Sequence, residues 1–244
     1  MEGAIIPQLK SHAFGYLTLT ENKKKKNTYV IITGGITCEH EDKCFNKEKC
    51  DCSNIVLNDQ VYIYYKEEFT PIILEDKLGF QPLVRRYGHS MVTLANGKIY
   101  MLCGFIQYVG YVIGLIEMSF SINNYIVTCS CRQIDIPPKV KGRIYASVSV
   151  VFNKIVIFGG SRDTRTLNDM WVIDLVDDKT PLIQQVVIDR NIYMPRFGMS
   201  TSVVNDSHDN NLVRIIVLGG SYFNDENFGD GITSELLIFG VSVI

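Results

Sequence analysis

The chain has 244 residues, 46% apolar and 20% charged, enough to bury a sizeable core without disulfide or metal staples. Its formal net charge of −2 removes any general attraction to nucleic acid or acidic membranes. The opening stretch MEGAIIPQLKSH lacks the basic start and long apolar core of a signal peptide, so a cytoplasmic or nuclear protein is expected.

Taken in chain order, the sequence is a succession of short β-forming runs separated by turn residues. A short apolar stretch, GAIIPQ (Gly3 to Gln8), precedes AFGYLTLT, which starts at Ala13. The polar insertion ENKKKKN (Glu21 to Asn27) follows, and its basic run Lys23 to Lys26 reads as a solvated turn. TYVIITGG then ends at Gly35, LNDQVYIYY begins at Leu57, and FTPIILE supplies a fourth strand. The pattern restarts with RYGHSMVTL at Arg86 and KIYMLCGF, in which Cys103 stands before Gly104, then YVIGLIEMSF at Tyr111 and YIVTCSCRQID. A third copy runs from RIYASVSVV at Arg143 through KIVIFGG at Gly160 and LNDMWVIDL at Leu167 to TPLIQQVVID. A fourth has RFGMSTSVV at Arg196, VRIIVLGG at Gly220 and SELLIFGVSVI at Ser234.

The glycines recur at intervals of 69, 56 and 60 residues. In this alignment Ala13 takes the arginine's place in the first copy. The longer copies add polar residues at one place, Glu21 to Asn27 and Asn205 to Asn210, as a hairpin loop between fixed strands would. The stretch Ile99 to Ile116 is uncharged and long enough for a membrane span. Its three glycines, its β-branched residues and its alignment with two strands elsewhere favour sheet. Four short strands per copy, without helical periodicity, predict four-stranded antiparallel sheets in a radial array.

The sequence Arg-aromatic-Gly-x-Ser, then a β run ending Gly-Gly, then LNDMWVIDL, resembles the kelch repeat. The third copy fits best, and the resemblance extends over nearly the whole chain. It implies an all-β kelch-type β-propeller, with blades at about 13–75, 85–135, 142–189 and 195–244. Within this scheme the glycines permit a sharp turn and close backbone approach, and the single tryptophan, Trp171, is an apolar wedge between sheets. Kelch propellers commonly have six blades. Either residues 3–8 add a closing strand to the last blade or the propeller is incomplete.

Loops between the second and third strands, at 36–56, 106–110, 161–166 and 221–232, are expected on one face, where a rigid frame presents variable segments to partners. Arg162, Asp163 and Arg165 suit a carboxylate-bearing peptide. Tyr222, Phe223, Asn224, Asp225 and Phe228 combine aromatic anchors with polar groups. Cys38, His40, Cys44, Cys50 and Cys52 crowd the first loop, as a zinc site would, but their spacing matches no common signature, and free thiols and disulfides stay open. Cys129 and Cys131, on an outer strand, read as packing. His89 is expected to satisfy a hydrogen bond on an innermost strand, and His12 and His208 to lie at a strand flank and in a loop. No nucleophile–base pair or paired carboxylate recurs.

The expected function is a non-catalytic interaction module or adaptor with a protein or peptide partner, no nucleic acid, no membrane and no cofactor unless zinc fills the cysteine loop. The alternatives are a metal-binding propeller enzyme of oxidase, isomerase or lyase type using that loop, or a truncated, non-functional product.

Overall fold

The computed structural model describes residues 11–21, 25–38, 55–66, 68–74, 84–123, 126–176, 180–188, 194–209, 211–224 and 229–242. The closing strand expected at residues 3–8 lies outside them. Four antiparallel sheets follow one another along the chain. In blade 1, strands Ala13–Glu21, Lys25–Thr33, Val61–Tyr65 and Glu68–Pro71 lie in that order. Blade 2 orders Ser90–Thr93, Ile99–Leu102, Leu115–Asn123 and Ile126–Ile134. Blade 3 has Ser147–Val151, Lys154–Phe158, Met170–Asp174 and Leu182–Val186, and blade 4 has Ser200–Asn205, Leu212–Leu218 and Leu236–Ser242. The region Ile99 to Ile116 is strand and turn, and no helix among the described residues is long and apolar enough to cross a membrane.

These segments form sheets because both faces of each inner strand have something apolar to meet. Three core layers result, one between each successive pair of blades. Ile31, Val61 and Ile63 of blade 1 pack on Met91, Ile99 and Met101 of blade 2. Leu102 and Leu115 share a layer with Ile155, Ile157 and Trp171 of blade 3. Phe158 and Met170 meet Val217, Leu237 and Phe239 of blade 4. Trp171 is the wedge expected from the sequence, and burying an aromatic of that size contributes on the order of 3 kcal/mol.

Every junction is also made of the same two backbone hydrogen bonds. The residue two before each innermost strand has a positive φ: 56° at Ser11, 63° at Gly88, 53° at Tyr145 and 65° at Gly198. That bend lets Gly88 N donate to Ser11 O, Tyr145 N to Gly88 O and Gly198 N to Tyr145 O, at 3.0, 2.7 and 2.9 Å. The second glycine of each pair closes the other bond: Gly35 N, Gly104 N and Gly160 N donate to the carbonyls of Arg86, Arg143 and Arg196 at 2.8, 2.7 and 2.9 Å.

The same arginines, fully buried, turn their guanidinium groups back into their own blades. Arg143 donates to Gly159 O at 2.9 Å and bidentately to the Asp169 carboxylate at 2.5 and 3.0 Å. Arg196 donates to Gly219 O, to Glu235 O and to one oxygen of the Glu235 carboxylate, and Arg86 holds Cys103 O and Gly114 O. Each arginine therefore links the preceding blade through its carbonyl and braces its own diglycine turn through its side chain.

Two expectations are corrected. Ala13 pairs with Thr33 as Ser147 pairs with Phe158, so it takes the serine's place and the arginine's place falls at residue 9, outside the described residues. A register slid by four residues matches the apolar run of the loop-rich first copy but not the turn before it. Asn58 performs part of the arginine's task there, donating from Nδ2 to Gly34 O at 3.0 Å. FTPIILE, read as one strand, splits. Glu68–Pro71 stays in blade 1, whereas Ile73–Leu74 pairs in parallel with Thr128 and Cys129 at the outer edge of blade 2. Pro71 has no N–H to extend the ladder, and the buried Ile72 turns the chain.

If the diglycine is needed for approach as well as for φ, two glycines with similar torsions respond differently. Gly97 (φ 77°) has open space around a Cβ, whereas a Cβ on Gly159 (φ 61°) would lie 2.5 Å from Arg196 O. Gly97→Ala should cost about 1 kcal/mol from backbone strain, and Gly159→Ala at least about 3 kcal/mol in urea denaturation because a carbonyl must move as well.

Candidate functional site

Beyond each diglycine turn the chain makes a second, smaller antiparallel unit before returning as the third strand. In blade 1 this is Ile36–Cys38 with Ile55–Leu57. In blade 2, Phe105–Ile106 pairs with both Gly110–Tyr111 and Arg86–Tyr87. Blade 3 has Ser161–Arg162 with Arg165–Thr166, and blade 4 has Ser221–Asn224 with Gly229–Ile232. Because every second strand ends at the same edge of the array, all four hairpins project from one face. The loops between second and third strands are thus hairpins rather than irregular segments.

Aromatic residues line the base of this face. Tyr145 Oη shares a 2.9 Å hydrogen bond with Ser11 Oγ from blade 1. Phe197 lies beside Tyr145 and stacks on Phe223, with centroids 5.0 Å apart. Tyr87, Phe105 and Tyr111 form a second set, with centroids 5.4 and 5.2 Å apart. The Phe223 amide donates to Thr166 Oγ1 at 2.9 Å, tying the hairpins of blades 3 and 4 together.

Among the residues singled out from sequence, Arg162 and Arg165 stand opposite each other across the tight turn Asp163–Thr164. Like charges directly opposed in a hairpin are unfavourable, and the exposed Asp163 carboxylate, 3.7 Å from Arg162 Nε, offsets little of that in water. Tyr222 lies across the Gly231 backbone, filling the space a side chain would take, and so serves its own hairpin. Phe223 turns to the aromatic base. Asn224 ends its strand, and Asp225 and Phe228 lie outside the described residues. Of the cysteine loop, Cys38 ends the strand Ile36–Cys38, while His40, Cys44, Cys50 and Cys52 lie outside the described residues, so the zinc reading has no geometry to rest on. Among the described residues no cluster of His, Cys, Asp or Glu could hold a metal.

Two exposed residues at this face were not singled out from sequence. Tyr108 and Val109 form the tip of the blade 2 hairpin, and Tyr108 is 96% exposed. Its φ of 67° is a left-handed conformation that a bulky side chain adopts at a cost of about 1–2 kcal/mol. The signal was present in QYVG, a turn with no Asn or Gly at its left-handed position.

The polar groups below this face are dry. His89 is buried, and its Nε2 meets Thr33 Oγ1 at 2.8 Å, the hydrogen bond expected of it. Burial first, then the Arg86 and His12 charges, push its pKa down to about 3. Burial draws Arg86 down to about 10 and raises the Cys103 thiol to about 11. Burial would raise the Asp169 carboxyl as well, but the hydrogen bond and charge of Arg143 outweigh it and leave it below the usual carboxylate range.

The repeated junctions, the radial order of the sheets and the hairpin face define a β-propeller. The family model of the Kelch motif matches residues 142–179, which is blade 3 from its hub arginine to beyond the Trp171 strand. A solved structure, described as the structure of YjhT, is 12% identical with a TM-score of 0.60, covering 98% of this chain and 83% of that one. At that identity the likeness shows the fold alone. No curated protein matches the chain in sequence. The protein is a β-propeller whose third blade carries a kelch motif.

A buried neutral histidine gives a pH test of the first junction. Unfolding exposes His89 to its ordinary pKa of about 6.5, so the unfolded chain binds a proton that the folded one refuses. Stability from this group is complete above pH 6.5 and falls by up to about 1.4 kcal/mol per pH unit below it, down to the folded pKa of about 3. Urea titrations at pH 7, 6 and 5 should show that component in the wild type and lose it in His89→Gln. Identical slopes would contradict the assignment.

Proposed function

We propose that the protein is a non-catalytic interaction module, an adaptor or complex subunit, which binds an acidic segment of a partner protein on the hairpin face. The observation that carries this reading is the pairing on adjacent hairpins of two unlike tips. One holds Tyr108 and Val109 open to solvent on a left-handed turn, and the other sets Arg162 against Arg165. An aromatic anchor beside two forked donors suits a partner segment that carries a carboxylate next to an apolar side chain. The rigid aromatic base beneath the tips lowers the ordering cost of binding.

We also expect a cytoplasmic or nuclear setting, where a buried thiol such as that of Cys103 stays reduced.

Quantitative affinity capture from native lysate should recover partners that are depleted at least tenfold by both Arg162→Ala/Arg165→Ala and Tyr108→Ser. Thermal melting should change little, because both sites are exposed. An unchanged partner set would remove the support for this face.

A further inference from the structure

The outer strand of blade 2, Ile126–Ile134, carries two cysteines two residues apart, Cys129 and Cys131, so their side chains stand on one face of the sheet. That face meets blade 1. Cys129 is fully buried in the layer that holds Met91, Met101 and Met118, and the half-buried Cys131 packs against the same layer. Their sulfurs lie 3.8 Å apart, in contact. Cys103 belongs to a different layer, and burial holds its thiol up at about 11.

The strand that bears the pair is held on its two sides by ladders of very different length. Leu115–Asn123 pairs with it through nine residues, from Leu115 against Ile134 to Asn123 against Ile126. On the outer side the strap Ile73–Leu74, which brings the chain across from blade 1, is held through two, Ile73 against Thr128 and Leu74 against Cys129. One end of the strap is therefore anchored at a member of the cysteine pair.

Joining the two sulfurs would act on this strand first. At a rise of ~3.3 Å per residue, Cα atoms two positions apart in a strand are separated by about 6.6 Å. A disulfide usually draws its Cα atoms to about 5.5–6 Å, so the strand must pinch at Ser130 by up to about 1 Å. The nine pairs on one side can absorb such a pinch. The two on the other side, one of them at Cys129 itself, cannot.

We infer that Cys129 and Cys131 form a reversible disulfide within their strand, and that its formation releases the strap Ile73–Leu74 from blade 2. The oxidant is hydrogen peroxide. The thiolate of Cys131, the more accessible of the two, takes one peroxide oxygen to become a sulfenic acid, and the other oxygen leaves as hydroxide. The Cys129 thiolate then attacks the Cys131 sulfur and displaces a second hydroxide, forming the S–S bond. Two hydroxides and the two thiol protons make two waters. A low-molecular-weight thiol reverses the step by exchange. Release of the strap leaves the outer N–H and C=O groups of Ile126–Ile134 open to another strand.

After peroxide treatment of the full chain, chymotryptic cleavage following Tyr125 places both cysteines on a peptide with no third one. That peptide should be about 2 Da lighter, two hydrogens having left, and should regain them in dithiothreitol. Hydrogen exchange in the oxidised protein should quicken at least tenfold at Ile73–Leu74 and stay slow across Leu115–Asn123. In Cys131→Ser, exchange at the strap should be indifferent to peroxide, although the cysteines of the first loop remain. If that variant fails to fold, the wild-type peptide mass and strap exchange decide. A peptide that stays reduced, or gains oxygen at its sulfurs instead of losing hydrogen, overturns the inference. A disulfide that leaves strap exchange unchanged, or quickening that persists in Cys131→Ser, overturns it equally.

Discussion

A fully buried arginine at the start of a blade is the interaction on which the rest of this structure depends. A guanidinium out of water must find fixed acceptors or destabilise the fold by several kcal/mol. Arg143 finds them in the Gly159 carbonyl and the Asp169 carboxylate, which also accepts the Trp171 indole N–H at 2.6 Å. One carboxylate thus positions both the brace of the turn and the wedge of the core layer shared with blade 2. The arginine carbonyl meanwhile takes the amide of Gly104 from the blade before. The arginine, the diglycine and the acid are parts of one device, and the device recurs because each blade has both a predecessor to hold and a turn to close.

The variations on that device show which parts are indispensable. Blade 2 has Gly114 where blades 3 and 4 have an acid, and Arg86 is held by backbone carbonyls instead. Cys103, with a φ of 64°, takes the first glycine's place in that blade at a conformational cost that the buried thiol's packing offsets in part. In blade 1, Asn58 supplies the donor to the first glycine's carbonyl. A donor to that carbonyl is present in all four blades, whereas its chemical identity is not conserved between them.

Much of this was legible in the sequence, because repetition amplifies weak local signals. The diglycines and the lone tryptophan pointed to turns and wedges, and the period-2 runs pointed to sheets. What escaped was long-range. Nothing local says that the arginines turn inward, since a guanidinium is ordinarily a surface group. The register of blade 1 is obscure in sequence because Ser11-His12-Ala13 carries neither the glycine nor the serine of Gly88-His89-Ser90, and shares only the histidine. At the hairpin face the arginines of blade 3 stood out as charge in a short loop. Tyr108 did not, because an aromatic in an apolar stretch reads as core until the turn that exposes it is seen.

The hairpin face and the faces between blades differ in chemistry. The hairpin tips are polar and aromatic, stand on a dry frame and can vary without disturbing it. The faces between blades are apolar, and their chemistry is that of packing. The most direct measurement of the common principle is native-state hydrogen exchange at the six junction amides, those of Gly35, Gly104, Gly160, Gly88, Tyr145 and Gly198. If the blades are held as described, all six exchange only through global unfolding, with one shared free energy. Exchange at the rate of an exposed hairpin-tip amide such as Thr164 would contradict the account.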